Sequence, residues 1–463
     1  MAKTDSGKCD VIIVGAGVGG AVAAAYLAKA GLKTVMFEKT QFAGGYKYSS
    51  IDVGGCKTDR WIRLLTYDSR GNAHGHSWNV AAKEVGATLR WQYLENSAVH
   101  ILGKHKPLEY MVLPNCCSGR AFAEIFSRLI PLSESSFNDF AKLFEQLRDI
   151  PDEQIAKMDN VPFTQWMNER TNNEEVKAFF HKLNNTLIVS GSENASVPAI
   201  YGVVISMLTG DSNYAFAADG ASEEVPKAFV KVATDHGCDL KLNHPVLKVI
   251  VENNVAKGVL VKGPDGVEKT YTADRVIVNA DLKSLPELMG ANMPPDMAAA
   301  IKSMSRATEV DINVTFALNK EIWNPMPSQV VVVTPEFDFC FAIIYPDRYV
   351  RSLSPPGKQC IICGAFVSAE KYASKTDTEW LNWYRDTLDQ VVPGLKAVIA
   401  AEDYRTMKSP AFYGLFYGPK VSMQCSTIPN LNFIGDYTDA PGVITEKAAA
   451  AGMMVAKKII GNK

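Results

Sequence analysis

The chain has no stretch of about 18 or more apolar residues free of a charge or a glycine pair, so it predicts no membrane-spanning helix, although peripheral membrane contact stays open. Neither charge is in excess. With 48 Lys+Arg against 50 Asp+Glu, no long-range basic field exists to hold a polyanion, and nucleic acid is not expected as a partner. A disulfide framework is also missing: nine cysteines at irregular spacing are an odd number, which fits reduced thiols in a cytoplasmic protein. The opening MAKTDSGKCDVIIVGAG carries only a short apolar run, preceded by Asp10 and broken by glycines, and no signal peptide is expected from it. No internal repeat or low-complexity tract appears. What remains is a packed globular composition, 47% apolar and 21% charged, in 463 residues, enough for two to four domains at roughly 100–200 residues each.

The first 40 residues carry the clearest pattern. An apolar run at 11–14, a glycine cluster, an Ala-rich stretch at 21–30, Gly31 and a second apolar run at 34–37 predict strand, turn, helix, turn, strand. From about 120 to 190 the texture turns to helical periodicity with charged faces, read as an inserted helical unit. Residues 225–280 predict a helix, then a hairpin feeding a last buried strand (KVIVENN, KGVLVKG, DRVIVNA). Several β-rich runs between 306 and 370 suggest a mostly antiparallel sheet, followed by a helix near 378–392. The tail NLNFIGDYTDAPGVITEKAAAAG predicts a strand, a Gly-Asp turn and an Ala-rich helix opening near Pro441.

Gly15, Gly17 and Gly20 form G-x-G-x-x-G at the first strand-to-helix turn. There the missing Cβ atoms allow a sharp turn and let a pyrophosphate approach the amides at the helix N-terminus. Glu38 ends the second strand, where a carboxylate can accept from both ribose hydroxyls and disfavours a 2′-phosphate. These residues point to a dinucleotide but do not separate NAD from FAD.

Three stretches do separate them by resemblance. GAGVGGAVAAAYLAKAGLKTVMFEKTQFAGG with the following Asp52-Val-Gly-Gly55, the segment from EEVPKAFVKVATDHG to ADRVIVNAD, and the tail NLNFIGDYTDAPGVITEKAAAAG resemble, in order, the shared motifs of the flavin-containing amine oxidase and phytoene desaturase superfamily. The resemblance implies an α/β fold: a Rossmann-like, glutathione-reductase-type FAD-binding domain (1–75, 212–290 and 400–463) with a discontinuous α+β substrate domain (76–211 and 291–399). It implies FAD contacts at Gly15, Gly17, Gly19, Gly20, Glu38 and Lys39. Gly44 and Gly45 would lie near the pyrophosphate, Val246 against the adenine, Gly435 and Asp436 on the remaining phosphate and ribityl chain, and Val443 and Ile444 beside the flavin. Where the family often has Arg after the glycine pair, this chain has Tyr46 and Lys47. A helix opening at 441–442 would aim its positive end at the flavin edge where charge gathers on reduction.

A flavin takes hydride at N5, so the protein must stack a substrate carbon, exclude water and supply a base. By resemblance, the aromatic cage residue and the strand lysine of the amine oxidases fall near Ile444 and Asn313, neither of which is the amine-oxidase residue. The expectation is therefore dehydrogenation of a C–C unit in a small apolar or alicyclic substrate, as in the desaturases. Electrons would pass on to oxygen, a quinone or another flavoprotein. A redox-neutral flavin-dependent isomerase or hydratase, an amine oxidase, and a non-enzymatic prenyl-binding protein of the GDP-dissociation-inhibitor and escort type are the alternatives. A homo-oligomer is left open.

Tyr345, Tyr413 and Tyr417 are the candidate acid/base residues, weighed against ordinary packing tyrosines. Asp311 and Arg306 are weaker candidates. Cys360 and Cys363 make C-x-x-C within a strand pattern, so their side chains point to opposite faces and a redox dithiol between them is not expected. Cys116-Cys117 reads as loop packing. His74 and His76 lack a second ligand cluster at metal spacing, and no metal is expected.

Overall fold

The computed structural model describes residues 3–461 apart from 5–7, 46–47, 62–64, 68–76, 94–96, 103–106, 112–117, 128–129, 156, 188–194, 202–212, 219, 305–308, 323–328, 335–339, 408–412 and 443. Tyr46, Lys47, His74, His76, Cys116, Cys117, Arg306 and Val443 lie outside the described residues.

The opening strand Cys9–Val14 is buried on both faces, Val11 and Ile13 to one side and Ile12 and Val14 to the other, as a central parallel strand must be. It lies between Thr34–Phe37 and Glu268–Val278, with Asp239–Lys241 and Leu431–Phe433 completing a parallel sheet. The long Glu268–Val278 strand continues beyond that sheet into an antiparallel meander with Val246–Glu252 and Val255–Lys262, the hairpin expected from the Asn and Asp-Gly turns. Helices Val18–Lys29, Glu224–Asp235 and Ile444–Gly461 cover one face of the sheet. The first and last approach so closely that a Cβ on Gly452 would stand 2.3 Å from the Gly19 carbonyl oxygen, which explains the small residues along both.

A second, mostly antiparallel sheet runs in the order Ile399–Met407, Glu309–Leu318, Gln359–Ser368, Cys340–Ile344, Gln329–Val333, Ser97–Ile101 and Pro107–Met111. Alternation along Glu309–Leu318 sends Val310, Ile312, Val314, Phe316 and Leu318 to a back face against the helix Asp377–Val391. That leaves Asp311, Asn313 and Thr315 on the front. The inserted helical unit has its own aromatic core, in which Phe140 packs on Phe179 and Phe180 at 4.9 Å between ring centroids.

Three segments lie with the other half from the one the domain boundaries gave them. Ile399–Met407 bonds along Glu309–Leu318 and belongs to the substrate sheet. Helix Ser77–Val85 buries Trp78, Ala81 and Val85 in the core of the nucleotide half, and Pro295–Met304 packs beneath its meander through Met297, Ala300 and Met304. In each case a complementary apolar face or free strand edge decided the partner, not proximity in the chain to a motif.

Candidate cofactor and active site

The glycine turn is dictated by what surrounds it. Gly15 has φ +96°, and a Cβ there would meet the Asn279 carbonyl oxygen at 2.3 Å; one on Gly20 would meet the Gly15 carbonyl oxygen at 2.1 Å. Gly17 is the N-cap of the helix Val18–Lys29. Gly19 instead faces the closing helix, 2.8 Å from the Ala448 carbonyl oxygen for a built Cβ, so its small size serves helix packing. Oriented with its oxygen towards the turn, the Asn279 side-chain amide satisfies both ends, accepting from the Gly20 and Gly17 amides (3.1 and 3.3 Å) and donating to the Ile434 carbonyl (3.2 Å). Asn279 thereby joins the glycine turn to the strand that leads into Gly435. The signal for it was a polar residue directly after the buried run RVIV, and no motif position names it.

Glu38 is buried at the end of the second strand, its carboxylate accepting from the Ala16 amide (2.9 Å) and from the Thr40 amide and hydroxyl (2.9 Å each). Of the roughly four lone-pair sites on a carboxylate, these use two on Oε1 and one on Oε2, so capacity remains for a ribose hydroxyl. Lys39 beside it is exposed. His244 donates its amide to the Glu38 carbonyl at 2.9 Å, which brings Val246 to the same end of the sheet. Gly44 donates to the Ala16 carbonyl (2.8 Å), and a Cβ on Gly45 would lie 3.6 Å from the Gly17 Cα, so the two glycine motifs meet.

The C-terminal motif closes the same trough. Asp436 is buried after Gly435, and a Cβ on Gly414 would approach the Ile444 nitrogen at 2.9 Å and the Asp436 carbonyl at 3.0 Å. Ile444 opens the last helix at φ +49°, a left-handed conformation costly for a β-branched side chain, held by its surroundings at the point where the motif requires a turn. Tyr48 donates to the Thr445 hydroxyl (2.7 Å), and buried Lys447 pairs with Asp159 of the helical insert (2.6 Å). These four residues were not singled out in the sequence, because their partners are far away along the chain.

The candidate tyrosines divide by face. Tyr345 is fully buried with Cys363 and Ile343 on the back of the substrate sheet, and burial pushes its phenol well up, so it is a packing residue and not the acid/base group expected. Tyr413 is buried in the core beneath the nucleotide sheet, with Tyr437 and Phe433, and is likewise structural. Tyr417 is half-buried. Asp311 stands on the front face: its cross-strand neighbours Phe366 and Met407 pack with Ile444 and Leu415 against the core of the helical insert. Asn313 donates to the Asp311 carboxylate. The next pair along, Thr315 and Arg405, are joined at 3.0 Å, and the Arg405 guanidinium lies 2.9 Å from the Asp403 carboxylate. The front face thus presents an apolar wall at Ile444 and a polar row running away from it. Among the described residues, no group of three or more His, Cys, Asp or Glu could hold a metal, and no helix is long and apolar enough to cross a membrane.

The family model for flavin containing amine oxidoreductases matches residues 18–460. The chain belongs to that family. It is a FAD-dependent oxidoreductase. The fold is that of an oxidoreductase from Methanosarcina mazei (18% identity, 97% of this chain and 100% of that one, TM-score 0.72) and of cyclohexylamine oxidase from Brevibacterium oxydans (15%, 98% and 99%, TM-score 0.65). A shorter stretch of this flavoprotein is similar to the long-chain-alcohol oxidase FAO4B of Arabidopsis thaliana, 32% identical over 110 residues, and the chain spans about 15% of the length of that relative. The glycine cradle, the lone pair left on Glu38 and the turn at Gly435 fit FAD. When bound, FAD accepts a hydride at its flavin. The chain's own part would be to hold the phosphates on backbone amides, fix the ribose at Glu38, and wall off water with Ile444, Phe366 and Met407.

Proposed function

We propose that this flavoenzyme dehydrogenates a C–C unit of a small apolar or alicyclic substrate that carries one polar group. The observation that carries this reading is the front face of the substrate sheet. An aliphatic and thioether wall at Ile444, Leu415 and Met407 suits a hydrocarbon skeleton, and the adjoining row of Asn313, Thr315 and Arg405 suits a carbonyl or carboxylate oxygen. Asp311, at the junction of wall and row, is the base that takes the substrate proton as hydride leaves the neighbouring carbon. The Arg405 guanidinium orients the polar end. Electrons leave to oxygen, a quinone or a second flavoprotein.

The test is bleaching of the bound flavin under anaerobic conditions. Alicyclic ketones or acids should reduce it, and primary amines and long polyenes should not; bleaching by amines alone would overturn the reading. Activity that appears only after pre-reduction and consumes no acceptor would instead mark a redox-neutral isomerase or hydratase. A second reading, oxidation of a primary alcohol, is favoured by the stretch similar to long-chain-alcohol oxidases, and a fatty alcohol belongs in the same series. The cysteines whose side chains are described are free and buried, which supports a reducing compartment such as the cytoplasm.

A further inference from the structure

The hairpin of Ser50–Val53 and Cys56–Asp59 belongs to neither large sheet and touches both halves of the molecule. Its base is rooted in the cofactor half. Asp59 accepts from the Ser222 amide and hydroxyl (2.8 and 2.6 Å), while Glu223 accepts from the Ser50 amide and hydroxyl (3.1 and 2.6 Å) and pairs with Lys57 and Lys227 (2.7 and 2.6 Å). Its tip lies on the substrate sheet: Lys358 donates to the Gly54 carbonyl at 3.2 Å, and a Cβ on Gly54 would stand 2.9 Å from that of Ala401. Next to the tip, Val53 and Cys56 share a small apolar cluster with Ala317, Cys360 and Ile362 of the sheet. Cys56 and Cys360 are both free, both fully buried, and neighbours in that cluster.

We propose that Cys56 and Cys360 are a reversible redox pair whose disulfide staples the cofactor half to the substrate sheet when the enzyme meets hydrogen peroxide. The two thiols differ in the way such chemistry needs. The neighbouring Cys360 side chain lowers the Cys56 thiol against the effect of burial, which makes Cys56 the readier of the two to react as thiolate. Cys360 is pushed well up by its Cys56 neighbour, by burial and by Asp347, and keeps its proton. The Cys56 sulfur attacks one peroxide oxygen; the O–O bond breaks, a sulfenic acid forms, and the departing hydroxide takes the Cys360 proton as water. The Cys360 sulfur then attacks the Cys56 sulfur, the S–O bond breaks, and the second hydroxide leaves as water with the proton that Cys56 had given to solvent. Two thiols lose two electrons and one peroxide becomes two waters. Cys363 is no rival partner, because it faces the opposite side of the sheet, among Ile343 and Tyr345.

The experiment treats purified holoenzyme with a small excess of hydrogen peroxide and digests it without reductant. A Cys56–Cys360 linked peptide that dithiothreitol removes is expected in the unaltered protein and in Cys363→Ser, and none in Cys56→Ser or Cys56→Ala. The oxidised holoenzyme should release FAD in mild urea at least tenfold more slowly than the reduced one. Oxidation of Cys56 to sulfinic acid with Cys360 left reduced, or a link through Cys363, would overturn the pair. A correct link with an unchanged rate of FAD release would overturn the staple. The peptide map of the unaltered protein decides the first point even if no variant folds.

Discussion

The glycine turn at Gly15–Gly20 and the front face of the substrate sheet are built to hold ligands by opposite means. At the turn, backbone does the work: the distances that matter are from would-be Cβ atoms to carbonyl oxygens, and the glycines themselves lie within a few positions of one another. On the front face, side chains do the work, and Asp311, Phe366, Met407 and Ile444 come from four distant segments. A cofactor used in the same form throughout a family can be gripped by backbone. A substrate that varies is fitted by side chains on strands that tolerate replacement.

Four changes would break or sharpen this contrast. The largest effect is expected from Gly20→Val, whose Cβ would lie 2.1 Å from the Gly15 carbonyl oxygen. Relief requires the helix to move, at a cost on the order of 3 kcal/mol, and the purified protein should lose its flavin absorbance. Full FAD content in that variant would show that the turn is not the grip. Next, Asp311→Asn should keep the flavin and lower the rate of anaerobic flavin reduction by about 100-fold, the lower end of general-base contributions. Loss of FAD with it would mean that the front face holds cofactor as well as substrate.

The third change is acid stability at the hairpin. Burial acts to raise the Glu223 carboxyl, but Lys227, Lys57 and Ser50 outweigh it and hold it at about 2, below its ordinary 4.5. Its contribution is therefore present above pH 4.5 and is lost as pH falls towards 2, a difference on the order of 3 kcal/mol. Glu223→Gln should flatten the unfolding free energy across that window, and an unchanged slope in denaturant melts would count against the hairpin's root. The smallest effect is expected for Tyr345→Phe, less than twofold on flavin reduction, since its hydroxyl lies behind the sheet. A drop of tenfold or more would restore it as an acid/base candidate.

Which face a residue takes was not legible from the sequence. Tyr345 directly follows Cys340–Ile344, which Gln359–Ser368 separates from the Asp311 strand in the same sheet, and the tyrosine drew more weight because it lies just after a predicted strand. Its partner Ile343 and the ladder pairing to Cys363 turn it to the back, while Asp311, paired with Phe366 and Met407, turns to the front. Likewise Ile399–Met407 follows a Pro-Gly turn and precedes the flavin motif, and nothing in its own residues says that it would take the open edge of Glu309–Leu318.

The amino-acid sequence by itself determined the nucleotide half: the parallel strands, the glycine turn, Glu38 and the closing helix are local patterns, because backbone conformation and apolar period are set by near neighbours. Tertiary structure alone decided which polar groups lie on the front of the substrate sheet, that Asn279 ties the glycine turn to Ile434, that Lys447 meets Asp159, and that Cys56 and Cys360 share one cluster. These contacts join residues from separate strands, helices and turns, and whether two such side chains meet depends on strand register and sheet order, which no single segment contains.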